Sequence, residues 1–340
     1  MRRIAVVLFN LGGPDSLQAV RPFLQNLFSD PAIIGAPGFV RLPLAAFIAR
    51  AREKSAQANY AMMGGASPLL FETQAQAAAL QNLLGARGHE AEFAVFTAMR
   101  YWKPLIAQTA ADVSDWGADE AILVPLYPQY SSTTTGSALK EWRTHWRGKS
   151  RAVCCYPTTQ NFAQAHAEAI QAAWREAGFP EHPRVLFSAH GLPQRIVDRG
   201  DPYAWQVAQT VEAVRRQLPS AWEWRLCYQS RVGPLKWLQP SIGAEIEAAG
   251  AEGRGVIVSP IAFVSEHVET LVELDHEYAA LAKQHRLPFY ARARALGAAD
   301  AFVLALAQQV EAALARSASV ASQDGGRLCP HGHTLCPAPA

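Results

Sequence analysis

The sequence predicts an α/β protein with a doubly wound parallel sheet, and two observations support this prediction. Short apolar runs rich in Val, Ile, Leu and Phe alternate with longer alanine-rich stretches whose apolar residues recur at helical spacing. Strands buried on both faces of a parallel sheet have this composition, and helices connect them. The predicted strands are 4–9, 121–126, 185–188 and 256–261, and the predicted helices are 72–84, 163–176, 204–218 and 300–316.

The first apolar run follows two arginines and so resembles the start of a signal peptide. It ends at Asn10, however, and no small-residue cleavage site follows. We therefore interpret residues 4–9 as a buried strand. Because no stretch reaches the roughly 18 apolar residues of a membrane-spanning helix, the expected location is the cytoplasm.

Length and charge limit the classes of function. A chain of 340 residues exceeds one ordinary domain, so two domains are expected. Lys and Arg total 31 against 29 for Asp and Glu, which gives no broad positive field for nucleic acid. The five cysteines are an odd number and two of them, Cys154 and Cys155, are adjacent, so a disulfide framework is not expected.

Two junctions between strand and loop in the first half resemble two in the second half, residues 7–14 with 185–193 and residues 122–126 with 257–261. This likeness predicts two similar halves with a boundary between Lys149 and Tyr156 and a cleft between them. The predicted divisions are an N-terminal domain (1–150), a C-terminal domain (151–316) and a tail (317–340). We expect helix 300–316 to pack back on the first domain and the tail to be mobile unless something holds it.

Residues 31–49 are apolar but contain Pro37, Gly38, Arg41 and Pro43, which predicts a segment too broken for a long core helix. Two interpretations remain. The segment either is a helical excursion packed on the core or forms an apolar lip beside a pocket or a membrane face.

Candidate functional residues follow two of the predicted strands, where open parallel sheets bind ligands. His190 comes directly after strand 185–188. After strand 256–261, with Ser265 as the expected N-cap, Glu269, Glu273 and Glu277 are spaced at i, i+4 and i+8 without an intervening lysine or arginine. A cation is therefore expected at this face, and imidazole with carboxylates suits labile ferrous iron better than a closed zinc site. The alternatives are a histidine bonded to a backbone carbonyl and an exposed acidic helix face.

Seven segments in series resemble those of the ferrochelatases, which insert ferrous iron into a porphyrin. The resemblance extends from about residue 4 to residue 314, in the order of that family. The segments are 10–14, 64–69, 99–101, 126–131, 188–193, 229–234 and 263–275.

The resemblance implies two Rossmann-like domains with the porphyrin between them. It implies that His190 and Glu269 lie on opposite faces of the macrocycle, one accepting the pyrrole protons and the other delivering Fe²⁺, with the direction left open. Glu273 and Glu277 would extend a hydrated metal path. The implied porphyrin contacts are Phe263, Leu11 and Tyr130 on the ring, Arg100 and Ser67 on the propionates, and His267 as a hydrogen-bonding support. Protoporphyrin IX is the favoured substrate, on the ground of the apolar residues 31–49, with coproporphyrin III as the alternative.

Some ferrochelatases also hold a [2Fe–2S] cluster on four cysteines. Here Cys155, Cys329 and Cys336 make a trio, and the fourth ligand would be Cys154, His331 or His333. Free thiols are the alternative. Peripheral membrane contact and a homodimer are further expectations. The competing functions are a cobalt or nickel chelatase for a more reduced tetrapyrrole and a non-catalytic tetrapyrrole-binding protein.

Overall fold

The computed structural model describes residues 1–231, 233 and 235–339 and confirms the α/β class. The chain forms two compact units. Unit 1 contains residues 1–155, 306–328 and 337–339, and unit 2 contains residues 156–305 and 329–336. Our predicted boundary after residue 150 thus lies five residues before the division at Cys155.

Unit 1 is built on a five-stranded sheet in the order β2-β1-β3-β4-β9, with parallel pairing throughout. The central strand β1 is fully buried from Ile4 to Phe9, which explains its continuous apolar run. The strands are β1 (Arg2–Asn10), β2 (Ala91–Met99), β3 (Glu120–Pro125), β4 (Lys149–Val153) and β9 (Val320–Ala321). The helices are α1 (Val20–Phe28), α2 (Gly38–Met62), α3 (Leu69–Ala86), α4 (Ile106–Asp115) and α5 (Thr135–His145).

Unit 2 is built on a four-stranded parallel sheet in the order β6-β5-β7-β8. Its strands are β5 (Arg184–His190), β6 (Glu223–Gln229), β7 (Val256–Pro260) and β8 (Tyr290–Arg292). Its helices are α6 (Gln160–Glu176), α7 (Gln194–Asp198), α8 (Tyr203–Arg215), α9 (Ile242–Ala251), a π-helix (Glu269–Tyr278) and α10 (Ala279–Gln284). Two apolar clusters, one on each side of β5, pack the helices onto the sheet.

The strand orders locate a ligand-binding edge in each unit. After β5 the chain adds β6 on one side and then β7 on the other, so the order reverses between β5 and β7. Unit 1 has the same reversal between β1 and β3. Ligands of open parallel sheets bind at such a switch point, beyond the carboxyl ends of the strands. Both pairs of look-alike junctions in the sequence lie at these two switch points.

Helix α2 lies in the segment that was predicted to be too broken for a long core helix. It runs for 25 residues from Gly38 and includes Pro43. Pro43 lies in the second turn, where its missing N–H removes one backbone hydrogen bond near the helix start. The helix is long without being a core helix, because Phe39 and Phe47 are 82% and 70% exposed.

The C-terminal tail is held in place. Strand β9 pairs with β4, and Cys154 donates its backbone N–H to Ala321 O at 2.9 Å. Cys329 and Cys336 are buried. Helix α11 (Asp300–Ala315) precedes the tail, and its residues from Leu306 onward belong to unit 1.

Candidate active site

The switch point of unit 2 brings together the two residues that the sequence singled out. His190 is the last residue of β5, and Glu269 is the first residue of the π-helix that follows β7. Their side chains form a hydrogen-bonded ion pair, with 2.9 Å between His190 Nδ1 and Glu269 Oε2. The side chains are 36% and 26% exposed, so both are open to a ligand.

A second imidazole contacts the same carboxylate oxygen. His267 Nε2 lies 3.4 Å from Glu269 Oε2. The Phe263 ring packs against both imidazoles, with centroid distances of 6.5 Å to His190 and 4.7 Å to His267. Glu269 is therefore held between two imidazoles that share one aromatic neighbour.

The contact between His190 and Glu269 differs from the separation that placement on opposite faces of a porphyrin requires. Two atoms that touch opposite faces of a planar ring are about 7 Å apart, because each needs a van der Waals contact of about 3.5 Å. His190 and Glu269 are in direct hydrogen-bond contact instead.

The pair has coupled acid–base properties. Burial lowers the pKa of His190, but the charge and hydrogen bond of Glu269, together with the charge of Glu273, outweigh it, so the pKa is raised above its ordinary value. Burial raises the pKa of Glu269, but His190 and then His267 outweigh that effect and hold it well below its usual range. The pair thus favours an imidazolium beside a carboxylate.

Glu273 is bound by donors from the end of β6. Gln229 Nε2 donates to it at 3.0 Å, the Ser230 N–H donates at 2.8 Å, and Ser230 Oγ makes a further short bond. Ser188 donates to Gln229 Oε1 at 2.7 Å and so orients that amide. Burial and the charge of Glu269 nevertheless raise the pKa of Glu273. Segment 229–234 extends beyond Gln229 and Ser230, but Val232 and Pro234 lie outside the described residues.

The acidic helix differs from the predicted one in type and in start. It is a π-helix that begins at Glu269 with Val268 as N-cap, so Ser265 is not the N-cap. Glu277 is exposed near its far end, whereas Glu269 and Glu273 are half-buried. Within the described part of the chain, no group of three or more His, Cys, Asp or Glu is placed to hold a metal ion.

Four predicted porphyrin contacts belong to unit 1. Leu11 and Ser67 are half-buried and Tyr130 is buried. The Arg100 guanidinium is already paired, with Nη2 2.9 Å from Asp30 Oδ2 and Nε donating to Ser137 Oγ at 2.8 Å. Arg100 therefore has a structural partner where the sequence suggested a propionate.

Three residues around the site had no predicted role. The Tyr203 hydroxyl donates to His190 O at 3.0 Å. Arg292 forms ion pairs with Glu266, in the loop before the π-helix, and with Asp275 on the helix. Gln229, the third, stood in a segment that resembles the ferrochelatases, and its place at the end of β6 was the available signal. Tyr203 and Arg292 offered none, because each acts through a contact distant in sequence.

The predicted cluster ligands are divided between the units. Cys155 lies in unit 1 with its Sγ 3.7 Å from that of Cys154, whereas Cys329 and Cys336 lie in unit 2. Cys329 Sγ accepts a hydrogen bond from Gln206 Nε2 at 3.0 Å. A [2Fe–2S] cluster is normally held by four cysteine thiolates, and Cys155, Cys329 and Cys336 supply only three.

The fold is that of the chelatases. Its similarity to SirB from Bacillus subtilis, solved with Fe³⁺, has a TM-score of 0.52 over 93% of this chain and 96% of that one, at 14% identity. The ferrochelatase family model matches residues 3–314. A ferrochelatase of Phenylobacterium zucineum is 58% identical over 336 residues (98% of this chain and 97% of the relative), and one of Caulobacter vibrioides is 53% identical over 338 residues (99% and 97%).

The chain belongs to the ferrochelatase family, whose members are lyases that insert iron into protoporphyrin in heme biosynthesis. Fe²⁺ is therefore a substrate and not a resident cofactor. Among the described residues, no helix is both long and apolar enough to cross a membrane.

Proposed function

We propose that His190 and Glu269 act from the same face of the porphyrin, with His190 as the proton acceptor and Glu269 as its charge partner. The observation that carries this proposal is the 2.9 Å contact between His190 Nδ1 and Glu269 Oε2. Because Nδ1 is bonded to Glu269, the imidazole would accept a pyrrole proton at Nε2. The adjacent carboxylate stabilises the imidazolium that forms, as in other histidine–carboxylate pairs.

The chemistry requires two proton transfers for each iron. The two pyrrole N–H groups must lose their protons before four ring nitrogens can bind Fe²⁺, and the ring must buckle to expose their lone pairs. The raised pKa makes neutral His190 a stronger base, and the imidazolium that forms must release its proton to solvent before it accepts the second pyrrole proton. Phe263, beside both imidazoles, is proposed to press on the ring, and His267 to keep Glu269 oriented.

Separate substitutions test these roles. His190→Ala and Glu269→Ala should each reduce kcat for iron insertion by a factor on the order of 10²–10⁴, the usual contribution of a positioned acid–base group. The control is Glu212→Ala, which removes a partly exposed ion pair with Arg215 on α8. Near-normal turnover in either folded site variant would remove that residue from the mechanism.

We also propose that Glu273 and Glu277 form the path by which hydrated iron reaches Glu269. The three carboxylates run from the half-buried site to the exposed part of the π-helix, and oxygen ligands suit Fe²⁺. Iron binding at Glu273 would require exchange of its bonds to Gln229 and Ser230.

Glutamine substitutions distinguish an iron path from a proton path. Glu273→Gln and Glu277→Gln should raise KM for Fe²⁺ severalfold and leave KM for the porphyrin nearly unchanged. A lower kcat with an unchanged KM for Fe²⁺ would instead assign Glu273 and Glu277 to proton release. An equal rise in KM for both substrates would exclude a metal path.

For unit 1 we propose Leu11 and Tyr130 as ring contacts and Ser67 as a propionate contact, since these residues lie in loops near the carboxyl ends of its strands. Arg100 can bind a propionate only by exchanging Asp30. Arg100→Lys should therefore lower the melting temperature and leave KM for the porphyrin nearly unchanged. A raised KM with an unchanged melting temperature would restore the propionate role.

We propose that the exposed apolar side chains of α2 make peripheral contact with membranes. Phe39, Leu42 and Phe47 are 82%, 53% and 70% exposed, and soluble surfaces rarely leave such residues together. Co-sedimentation with phospholipid vesicles should decrease for Phe39→Ser/Phe47→Ser relative to Phe179→Ser, which removes an aromatic of unit 2 that is 57% exposed. Equal binding by both variants would exclude α2.

The [2Fe–2S] cluster on Cys155, Cys329 and Cys336 stays a prediction. Anaerobically purified protein with visible iron–sulfur absorption that is lost in Cys329→Ser would support it. A colourless anaerobic sample without bound iron or sulfide would exclude it.

A further inference from the structure

The three-residue strand β8 contacts the π-helix through two side chains. The Tyr290 hydroxyl donates to Leu274 O at 2.8 Å, and Arg292 pairs with the carboxylate of Asp275, the next residue along the helix. Tyr290 and Arg292 are alternate residues of one strand and so point to the same side of the sheet. This edge strand therefore holds two consecutive residues of the helix that begins with Glu269.

Arg292 grips two carboxylates at once. Its Nε and Nη2 donate to the two oxygens of Asp275 at 2.5 and 2.7 Å, and its Nη1 donates to Glu266 at 2.9 and 3.1 Å. The guanidinium is nearly buried, with 9% of the side chain exposed. Glu266 also accepts the Ala295 N–H at 2.9 Å. Bidentate pairs of this kind fix orientation as well as distance.

The two carboxylates lie on either side of Glu269 in the chain. Glu266 is three residues before it, in the loop after β7, and Asp275 is six residues after it, on the π-helix. A π-helix is rarely adopted in place of an α-helix, so tertiary contacts must hold it. One guanidinium that binds both flanks fixes the path of the chain through Glu269.

We propose that Arg292 is a positioning residue for iron insertion, holding Glu266 and Asp275 so that Glu269 meets His190. The proposal rests on the function proposed above for that pair. Arg292 has no direct contact with His190 or Glu269 among the described interactions, and it acts through the shape of the segment between its two partners. A lysine cannot replace it, because an ammonium lacks the planar fork that serves two carboxylates.

The test is Arg292→Lys, with Arg184→Lys as the matched control. Arg184 is also a buried arginine between two carboxylates, Glu223 and Glu252, but it lies at the amino end of β5, whereas His190 lies at the carboxyl end. Both variants should lose thermal stability. Only Arg292→Lys should lose kcat, by a factor on the order of 10–100 for a displaced catalytic group, with KM for the porphyrin within about twofold.

Asp275→Asn provides the second variant, because it weakens one of the two ion pairs of Arg292 and leaves the pair with Glu266 intact. It should lower kcat, but by a smaller factor than Arg292→Lys does. If Arg292→Lys does not fold, this variant alone decides. A kcat within about twofold of that of Arg184→Lys in the folded variants would overturn the proposal.

Amide hydrogen exchange separates this proposal from the proposed function. Arg292→Lys should speed exchange in the π-helix, and unchanged protection there would overturn the positioning role even when His190→Ala and Glu269→Ala are inactive. Conversely, active His190→Ala and Glu269→Ala would remove the proposed function while faster exchange still reported that Arg292 holds the helix.

Discussion

One oxygen atom, Glu269 Oε2, connects the acid–base groups of the site. It lies 2.9 Å from one imidazole and 3.4 Å from another, and its charge raises the pKa of His190 against the effect of burial. Removing that charge leaves burial as the larger effect on His190.

The first prediction concerns this charge. Glu269→Gln should lower the pKa of His190, as measured by NMR titration of isotope-labelled histidine, because the carboxylate that stabilises the imidazolium is gone. Glu273→Gln should lower it less, since Glu273 contributes by charge alone. Glu277→Gln, exposed on the same helix, is the control. An unchanged His190 pKa in Glu269→Gln would show that the two side chains are not paired in solution.

A second prediction concerns His166, which is fully buried in α6. Burial lowers its pKa to about 3 from an ordinary value of 6.5, and Nε2 has no described hydrogen-bond partner. Below pH 6.5 the unfolded chain therefore binds a proton that the folded chain does not, and stability falls as the pH falls.

His166→Leu should remove this loss. Between pH 7 and pH 5 the wild type should lose about 2 kcal/mol of unfolding free energy more than the variant, at about 1.4 kcal/mol per pH unit. Urea unfolding at both pH values measures the difference, with the exposed His182→Asn as control. Parallel losses in wild type and His166→Leu would refute it.

At the scale of elements, short strands at sheet edges support longer neighbours. Strand β9 has only two residues, yet it covers the edge of β4, and Arg316 Nη2 adds a bond to Ala152 O at 2.7 Å. An uncovered edge strand exposes unpaired backbone groups and promotes association with other chains.

Truncation after Ala318 tests this role. Loss of two edge hydrogen bonds and of the buried Val320 should cost about 2–3 kcal/mol, which lowers Tm by about 4–10 °C, and light scattering on heating should begin earlier. A chain ending at Leu328, which keeps β9 but also lacks the buried Cys329 and Cys336, is the control against which the cost is measured. Equal melting of both truncated chains would show that β9 does not protect the edge.

At the scale of the whole molecule, the two units share the order of their first four strands, and the chain has a formal net charge of +2. Near-neutral surfaces give little long-range steering of charged ligands. We therefore predict that kcat/KM for the porphyrin changes less than about threefold between 50 and 300 mM salt. A steeper dependence would reveal a strong local field at the entrance to the site.

Sequence patterns predicted the parts of this molecule that depend on local composition. The buried strands, most of the helices, the position of His190 at the end of β5 and that of Glu269 in the segment after β7 follow from apolar runs and from the geometry of parallel sheets. The direct contact between His190 and Glu269 did not follow, because these residues are 79 positions apart in the chain. Arg292 was missed for the same reason, and the π-helix was missed because i, i+4 spacing of acids suits both helix types.

The π-helix has a consequence for the length of the chain. In an α-helix successive side chains are rotated by about 100° around the axis, so one turn holds about 3.6 residues. A π-turn holds about one residue more, and the side chains after it point in nearly the same directions as they would after an α-turn. Deleting a single residue between Glu269 and Glu273 would allow that turn to relax to α-helical winding, which would change the spacing of these two acids from i, i+4 to i, i+3 and leave the side chains downstream nearly in phase. The relative placement of these acids thus depends on the number of residues between them as much as on their identity.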